Sequence, residues 1–262
     1  KEFLIMRLQF SLHQLIILVS LFTAISCDQK SDAHQENSVE EQPLFKRVSE
    51  ESSSVLFNNS IEENDAFNMV DFFYVYNGGG VAVGDLNNDN LPDLVFTGNM
   101  VDDAIYVNEG DLKFREITEK AFSGVQTGWS TGVTMVDINH DGYLDVYICR
   151  SGNYPEAQRK NLLYINQGDL TFKEEAQRYG LDDTSYSTQA VFFDNDRDGD
   201  LDMYLLNHTN ELRSPNNITP LVANGTGLSN DRLYRNDEDK GKGIRFTDVT
   251  QQAGIVKDGL GL

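Results

Sequence analysis

The feature that most constrains this chain is a nine-residue pattern that occurs three times, at 85–93, 137–145 and 194–202. Each copy carries Asp or Asn at positions 1, 3, 5 and 9, and Gly or Asn at position 6. Oxygen ligands on alternate residues of a tightly curled loop suit Ca²⁺, which takes about 6–8 oxygens. Gly or Asn at position 6 tolerates the backbone conformation that such a curl requires. The pattern therefore predicts a cation-binding loop in each copy.

We predict one Ca²⁺ for each copy, about three sites in all, with side chains from positions 1, 3, 5 and 9 and the carbonyl of position 7 as ligands. The alternative is three polar turns without an ion. A metal loop is favoured because several carboxylates within nine residues repel one another unless a cation lies between them. The predicted ligands are Asp85, Asn87, Asp89, Leu91 and Asp93 in the first loop, Asp137, Asn139, Asp141, Tyr143 and Asp145 in the second, and Asp194, Asp196, Asp198, Asp200 and Asp202 in the third.

The residues around the loops exclude an EF-hand. That motif needs a bidentate Glu at position 12 and a helix on each side, whereas position 12 is Phe96, Ile148 or Leu205 here. Short runs of β-branched and aromatic residues flank each loop and are typical of strands. Each loop is thus predicted to join two strands.

The repeat extends beyond its loop. A segment that ends in Asn108, Asn166 or Asn236 follows each pair of predicted strands, and a segment that begins with Phe114, Phe172 or Phe246 comes next. The loops start 52 and 57 residues apart. Four strands in a period of about 40–50 residues indicate propeller blades. We predict an all-β fold of four-stranded antiparallel blades, with calcium loops between the first and second strands, in an incomplete array of about three blades.

These segments resemble FG-GAP/VCBS repeats. The resemblance lies in "YNGGGVAVGDLNNDNLPDLVFTGNM", "STGVTMVDINHDGYLDVYICRSGN" and "FFDNDRDGDLDMYLLNH", and it covers roughly residues 44–262. It implies a calcium-bearing β-propeller, and it is closest to long VCBS-repeat lipoproteins of Bacteroidetes-like bacteria that often end in an ASPIC/UnbV domain. The Phe-Gly and Gly-Ala-Pro signatures of integrins are absent.

The first 27 residues resemble a lipoprotein signal peptide. An eleven-residue apolar run at 15–25 follows Arg7 and leads to Ala-Ile-Ser-Cys, which ends at Cys27. Such a run is too short to span a membrane but suits a signal peptide. We predict lipidation of Cys27 and export to the outer membrane or cell surface, with the lipid as the only membrane contact. The alternative is an ordinary signal peptide with an incidental Cys.

The remaining chain divides into a polar tether at 28–43 and the partial propeller at 44–262. We expect a strand with an insertion at 44–76 and blades at 77–120, 129–178 and 187–252. Phe45 and Val48 match the fourth-strand motif, and the aromatic-rich insertion at 58–76 is expected to pack over the propeller rather than to bind a ligand. A typical propeller has about four to eight blades, so the chain is interpreted as an N-terminal fragment.

Composition limits the functions that remain. The formal net charge is −21, which disfavours binding to a phosphate backbone, so no nucleic-acid partner is expected. The chain has four His, and no Ser-His-Asp or Cys-His pairing can be argued from the sequence, so no enzyme is predicted. We predict a calcium-stabilised surface binding or scaffolding module for a glycan or an envelope or extracellular protein. The alternatives are a polysaccharide-active enzyme such as a propeller lyase, or a non-catalytic part of one, and an integrin-like adhesion module.

The third repeat contains a long insertion at 207–230, rich in Asn, Thr, Ser and Gly. Loops of this length in compact repeats are usually functional or disordered. We predict a contact surface that includes His208, Glu211 and Arg213; the alternative is a mobile loop without a function.

Overall fold

The computed structural model describes residues 44–65, 67–122, 128–209, 224–237 and 243–256. The chain divides into a unit at 1–47 and a unit at 48–262. Cys27 and the predicted signal and tether lie outside the described residues. Within the described part, no helix has both the length and the apolar character needed to cross a membrane.

The described residues of the second unit form three sheets of four antiparallel strands, each built from one repeat. Within each sheet, neighbouring strands are consecutive in the chain. The strands are β1 Val81–Gly84, β2 Asp93–Phe96, β3 Ala104–Asn108 and β4 Phe114–Glu116; β5 Trp129–Val136, β6 Asp145–Ser151, β7 Leu162–Asn166 and β8 Phe172–Glu174; and β9 Ser187–Phe193, β10 Asp202–Asn207, β11 Arg232–Asn236 and β12 Phe246–Asp248.

The described residues also contain four one-turn helices, which lie between strands or before them. They are α1 Glu50–Ser53, α2 Thr118–Ala121, α3 Glu156–Arg159 and α4 Ala176–Tyr179. The described residues 44–48 contain neither helix nor strand, and the strand expected from Phe45 to Val48 stays a prediction. The fourth strand of each observed sheet pairs with the third strand of its own repeat.

The strand register places each nine-residue loop at the turn between the first and second strands of its sheet. Gly84 pairs with Asp93 in the first sheet, and Val136 pairs with Asp145 in the second. Phe193 pairs with Asp202 in the third sheet. The last residue of the loop pattern is therefore the first residue of the second strand in every repeat.

The core lies between successive sheets. Val95 and Ile105 of the first sheet pack with Val146 of the second. Leu163 of the second sheet packs in another cluster with Met203 of the third. Successive sheets thus bury the faces that they turn toward each other, as propeller blades do. The predicted fold class is confirmed as an all-β array of three four-stranded antiparallel sheets, consistent with part of a β-propeller.

The first strands of the second and third sheets approach each other closely. The Thr131 hydroxyl donates to the Ser187 carbonyl at 2.7 Å, and the Thr134 hydroxyl donates to the Ala190 carbonyl at 2.7 Å. A Cβ atom at Gly132 would lie 2.3 Å from the Thr188 carbonyl oxygen. Glycine is therefore required at position 132 because a side chain would not fit there, and not because of an unusual backbone angle.

The insertion before the first sheet packs against the second sheet, as expected. Phe72 and Val75 are buried in one cluster with Trp129. The ring of Phe67 stacks on Trp129 with 5.6 Å between centroids, and the edge of Phe72 meets the same indole at 5.1 Å. The aromatic residues of the insertion thus form an extra layer at one end of the array.

Candidate cation loops and the far end of the sheets

The three loops share one backbone conformation. Positions 4 and 6 have positive φ in every copy: 59° and 66° at Asn88 and Asn90, 58° and 90° at His140 and Gly142, and 68° and 101° at Arg197 and Gly199. Two left-handed residues around position 5 curl the chain tightly, so that alternate side chains point to one centre. The special residue at position 6 was predicted; position 4 was not, because His and Arg give no signal for this conformation.

The carboxylate at position 1 holds the curl in the first two loops. In the second loop, Asp137 Oδ1 accepts the Asp141 amide at 3.1 Å and Oδ2 accepts the Gly142 amide at 3.0 Å. In the first loop, Asp85 makes the corresponding bonds to Asp89 at 3.2 Å and Asn90 at 2.7 Å. Positions 1, 3 and 5 are also joined in both loops, because the Asn at position 3 accepts the position-5 amide and donates to its carboxylate.

The third loop brings three carboxylates together. One oxygen each from Asp194, Asp196 and Asp198 lies within 4.8 Å of the others, and all three residues are exposed. This group could hold a metal ion, and carboxylate oxygens are ligands that hard cations prefer.

A fourth acidic side chain, Asp200, borders this group. One of its oxygens is buried and has no hydrogen-bond partner among the described residues. Burial, followed by the charges of Asp198 and Asp202, raises the pKa of Asp200 to about 6. A cation at this centre would favour the ionised form and offset that repulsion.

Position 9 has a structural role that the sequence did not reveal. Asp145 is buried; its Oδ2 accepts the Ile138 amide at 3.1 Å and its Oδ1 accepts the Asn166 amide at 2.8 Å. Asp93 and Asp202 make the same two kinds of bond in their own sheets. This carboxylate therefore ties the start of each loop to the end of the third strand. Each of its oxygens retains another lone pair, so its role as a cation ligand stays a prediction.

Burial makes the charge of the position-9 carboxylate unfavourable. Desolvation is the main cause that raises the pKa of Asp145 to about 7, and the charges of Asp141 and Asp137 add to it. Burial also raises the pKa of Asp93. The raised pKa values of Asp93, Asp145 and Asp200 mark places where negative charge is unfavourable, and a bound cation would neutralise that charge.

The Asn that ends the third strand links the loops of adjacent sheets. The Asn166 side chain donates to the Leu144 carbonyl of its own loop at 3.1 Å and to the Leu86 carbonyl of the preceding loop at 2.8 Å. Asn88 of the first loop donates to the Gly142 carbonyl of the second at 3.0 Å. Sequence analysis marked Asn166 only as part of the repeat; its fixed place after the Tyr of the third strand was the available signal.

A second hydrogen bond that recurs in all three sheets lies at the end of the sheets opposite the cation loops. The residue just before each third strand accepts a backbone amide from the region where the second strand ends. Asp103 accepts from Gly98 at 2.9 Å, Asn161 from Arg150 at 2.7 Å, and Asp231 from Asn207 at 2.9 Å. Sequence reasoning missed this position because Asp and Asn before a strand also suit an ordinary turn.

Of the predicted contact surface, only His208 belongs to the described residues; Glu211 and Arg213 do not. The structure places His208 immediately after β10 with 3% of its surface exposed. Its ring lies 4.1 Å from that of Tyr74 and 5.8 Å from that of Tyr186, measured between centroids. Burial lowers the pKa of His208, so the neutral imidazole is favoured. His208 is thus part of a buried aromatic cluster rather than of an exposed surface.

His208 also pairs with Ser151, which sequence analysis did not foresee. The Nδ1 atom of His208 lies 3.0 Å from the Thr209 carbonyl oxygen, which can only accept, so we assign the proton to Nδ1. The Nε2 atom then accepts the hydroxyl of Ser151 at 2.5 Å. Ser151 is fully buried, so its hydroxyl does not meet a substrate in this conformation.

Comparison with known protein families supports the repeat assignment. The family model for FG-GAP-like repeats matches residues 85–148, from the first residue of the first loop into β6. No curated protein matches the chain. The chain thus carries an FG-GAP-like repeat within a propeller-like array of sheets, the architecture of a surface or binding module.

Proposed function

We propose that this chain is a calcium-stabilised binding or scaffolding module of a bacterial envelope lipoprotein, and that it captures a glycan or an extracellular protein. The observation that carries the calcium part is the common conformation of three acidic loops, in one of which three carboxylate oxygens lie within 4.8 Å of one another. FG-GAP-like repeats typically bind calcium, and one matches the first two loops.

In this proposal Ca²⁺ acts as a structural ion. The side-chain oxygens at positions 1, 3 and 5 bind it, and position 9 connects the loop to the third strand. Because the strands must be paired to bring these oxygens together, the ion binds the folded form and stabilises it.

The lipoprotein part rests on the sequence around Cys27 and on the resemblance to VCBS-repeat lipoproteins of the ASPIC/UnbV type. Acylation of Cys27 would anchor the domain in the membrane through the polar segment 28–43. No catalytic role is proposed, since the one described Ser–His pair is buried.

The anchor is tested by fractionation of cells that express the full chain or a Cys27→Ser variant. The wild-type protein should appear in the membrane fraction and the variant in the soluble fraction, with a mass that lacks the lipid. A variant that stays in the membrane with an unchanged mass would exclude Cys27 as the anchor.

The binding function is tested by capture. The assay contains about 1 mM Ca²⁺, the order of magnitude that extracellular sites require. Under these conditions the domain should retain cell-envelope proteins or glycans, and it should release them when EDTA is added. Turnover of polysaccharides by the same preparation would instead favour the enzyme alternative.

A further inference from the structure

A cavity of about 570 Å³ lies at the end of the first strands that is remote from the cation loops. β1 begins directly after Gly80, which lines the cavity, and ends at Gly84, where the first loop starts. The cavity is open to solvent on one side and is lined by the insertion, the Gly78–Gly80 segment, the first strands of the second and third sheets, and His208. Its volume falls in the range of about 300–1,000 Å³ that is usual for small-ligand sites.

The cavity lining is uncharged in a strongly acidic chain. The described residues that line it include no Asp, Glu, Lys or Arg, although the chain has a net charge of −21. His208 contributes a neutral ring, as its burial and its bond to Ser151 indicate. Such a lining offers no ion pair to an acidic or basic ligand, and it favours a neutral one.

One wall of the cavity presents an aromatic ring that has no packing role. Tyr76 lines the cavity with 62% of its surface exposed, and interaction with Glu63, which does not line the cavity, raises the pKa of its hydroxyl. Trp129, by contrast, is covered by Phe67 and Phe72 and acts as a fixed wall. Exposed aromatic rings held in place at a cavity supply large contact area at little cost in conformational entropy.

The opposite wall supplies neutral hydrogen-bonding groups. The side-chain amide of Gln189 is held by Thr134 at 3.0 Å through its nitrogen, and its oxygen lies over Gly132, where an added Cβ would be 2.0 Å away. The Thr188 hydroxyl oxygen is buried and has no hydrogen-bond partner among the described residues, so it is not offered to a ligand. A side-chain amide and an aromatic ring that line one cavity match a ligand with hydroxyls around its rim and C–H groups on its face.

We infer that this cavity is a binding site for a neutral saccharide, with Tyr76 stacked on a sugar ring and the side-chain amide of Gln189 bonded to its hydroxyls. The inference rests on the proposed binding function and deepens it by naming the ligand class and the site. The cation loops stabilise the sheets from the other end and do not touch the sugar.

The test measures the affinity of the full chain, with Ca²⁺ present, for neutral gluco- and manno-oligosaccharides and for acidic uronic-acid oligomers by calorimetry. Tyr76→Ala should weaken binding of the neutral saccharide about tenfold or more, since truncation of a central aromatic contact has effects of this size. Phe73→Ala is the matched control, because Phe73 lies in the same insertion, is 58% exposed and does not line the cavity. Its affinity should equal that of the wild type.

Thr188→Val is a second control, because it keeps the shape of the side chain and removes a hydroxyl oxygen that is buried away from the ligand. It should leave the affinity for the neutral saccharide unchanged. Three results would each overturn the inference. They are equal affinity of wild type and Tyr76→Ala for the neutral saccharide, a preference of the protein for the acidic oligomers, and no binding of any neutral saccharide. The proposed function is tested separately, by calcium-dependent melting and by capture of envelope proteins or other glycans. If those two experiments succeed and no neutral saccharide binds, the proposed function stands and only the present inference is overturned.

Discussion

Asp103, Asn161 and Asp231 occupy one position in the three repeats, and all accept a backbone amide near the end of the second strand. The side-chain oxygen is what the position needs, because Asn161 makes the bond without a charge. In the first sheet the carboxylate is buried, and burial raises the pKa of Asp103 to about 6 despite bonds from Gly98 and Ser130. Ionisation of Asp103 therefore destabilises the folded protein, and the hydrogen bond from Gly98 would form without the charge.

We predict that Asp103→Asn changes the pH dependence of stability. The ordinary pKa of 3.8 rises to about 6 in the folded protein, so the contribution of Asp103 is fully present below about pH 4 and is lost as the pH rises through about 6. Relative to wild type, the variant should gain up to about 3 kcal/mol in unfolding free energy between pH 4 and pH 7. Urea unfolding at both pH values measures this difference.

The control for that experiment is Asp102→Asn, since Asp102 is the exposed neighbour. It should show no comparable change. A difference between Asp103→Asn and wild type that is the same at both pH values would show that Asp103 is not a buried acid with a raised pKa.

Within a cation loop, Asp141→Ala should remove one bound Ca²⁺, because position 5 is a predicted ligand and lies against positions 1 and 3. Native mass spectrometry or calcium titration gives the stoichiometry. The control is His140→Gly in the same loop, which removes an exposed side chain from a residue with φ of 58° and is not a predicted ligand. An unchanged stoichiometry for Asp141→Ala would mean that the ligand set is misplaced.

At the scale of elements, the close approach of β5 and β9 depends on Gly132. We expect Gly132→Ala to destabilise the domain by about 1–3 kcal/mol, the usual cost of overpacking, because the new Cβ would lie 2.3 Å from the Thr188 carbonyl oxygen. Denaturant unfolding measures the loss.

Gly110→Ala is the comparison for Gly132→Ala. Gly110 has φ of 95° and open space around its Cβ direction, so the substitution should cost only the strain of a left-handed residue, about 1 kcal/mol. A smaller loss for Gly132→Ala than for Gly110→Ala would contradict the packing described between the two sheets.

The strands and loops were predictable because each follows a local rule. Alternation and β-branched residues mark the strands, and the spacing of Asp and Asn marks the loops. No strand forms at Phe45 among the described residues: a strand also needs a partner, and a four-residue motif carries no information about one. The bonds from Asp145 to Ile138 and Asn166 were missed for a related reason, since they join residues 7 and 21 positions apart across a sheet.

The cavity beside Tyr76 was also beyond sequence reasoning. The insertion was expected to pack, and Phe72 does so, but the same segment places Tyr76 at a cavity formed with β5, β9 and His208. His208 was predicted to belong to a contact surface because it lies in a long polar insertion. Its burial depends on Tyr74 and Tyr186, which are distant in sequence.

On the scale of the whole molecule, the loops are connected to more than their own sheets. Asn88 joins the first loop to the second, and Asn166 joins the third strand of the second sheet to the first loop. Each position-9 carboxylate further ties its loop to a third strand. Loss of an ion from one loop should therefore weaken the packing of two sheets rather than one turn.

The measurement that tests this account most directly is thermal melting of the domain in EDTA and in millimolar Ca²⁺, with Mg²⁺ at the same concentration as the control for ion size. Each occupied site should add about 2.7 kcal/mol when Ca²⁺ exceeds its dissociation constant a hundredfold. We expect a clear rise in the melting temperature with Ca²⁺ and a smaller one with Mg²⁺, which demands a stricter octahedral geometry. Equal melting temperatures in EDTA and in Ca²⁺ would contradict the central claim that these loops bind calcium and stabilise the fold through it.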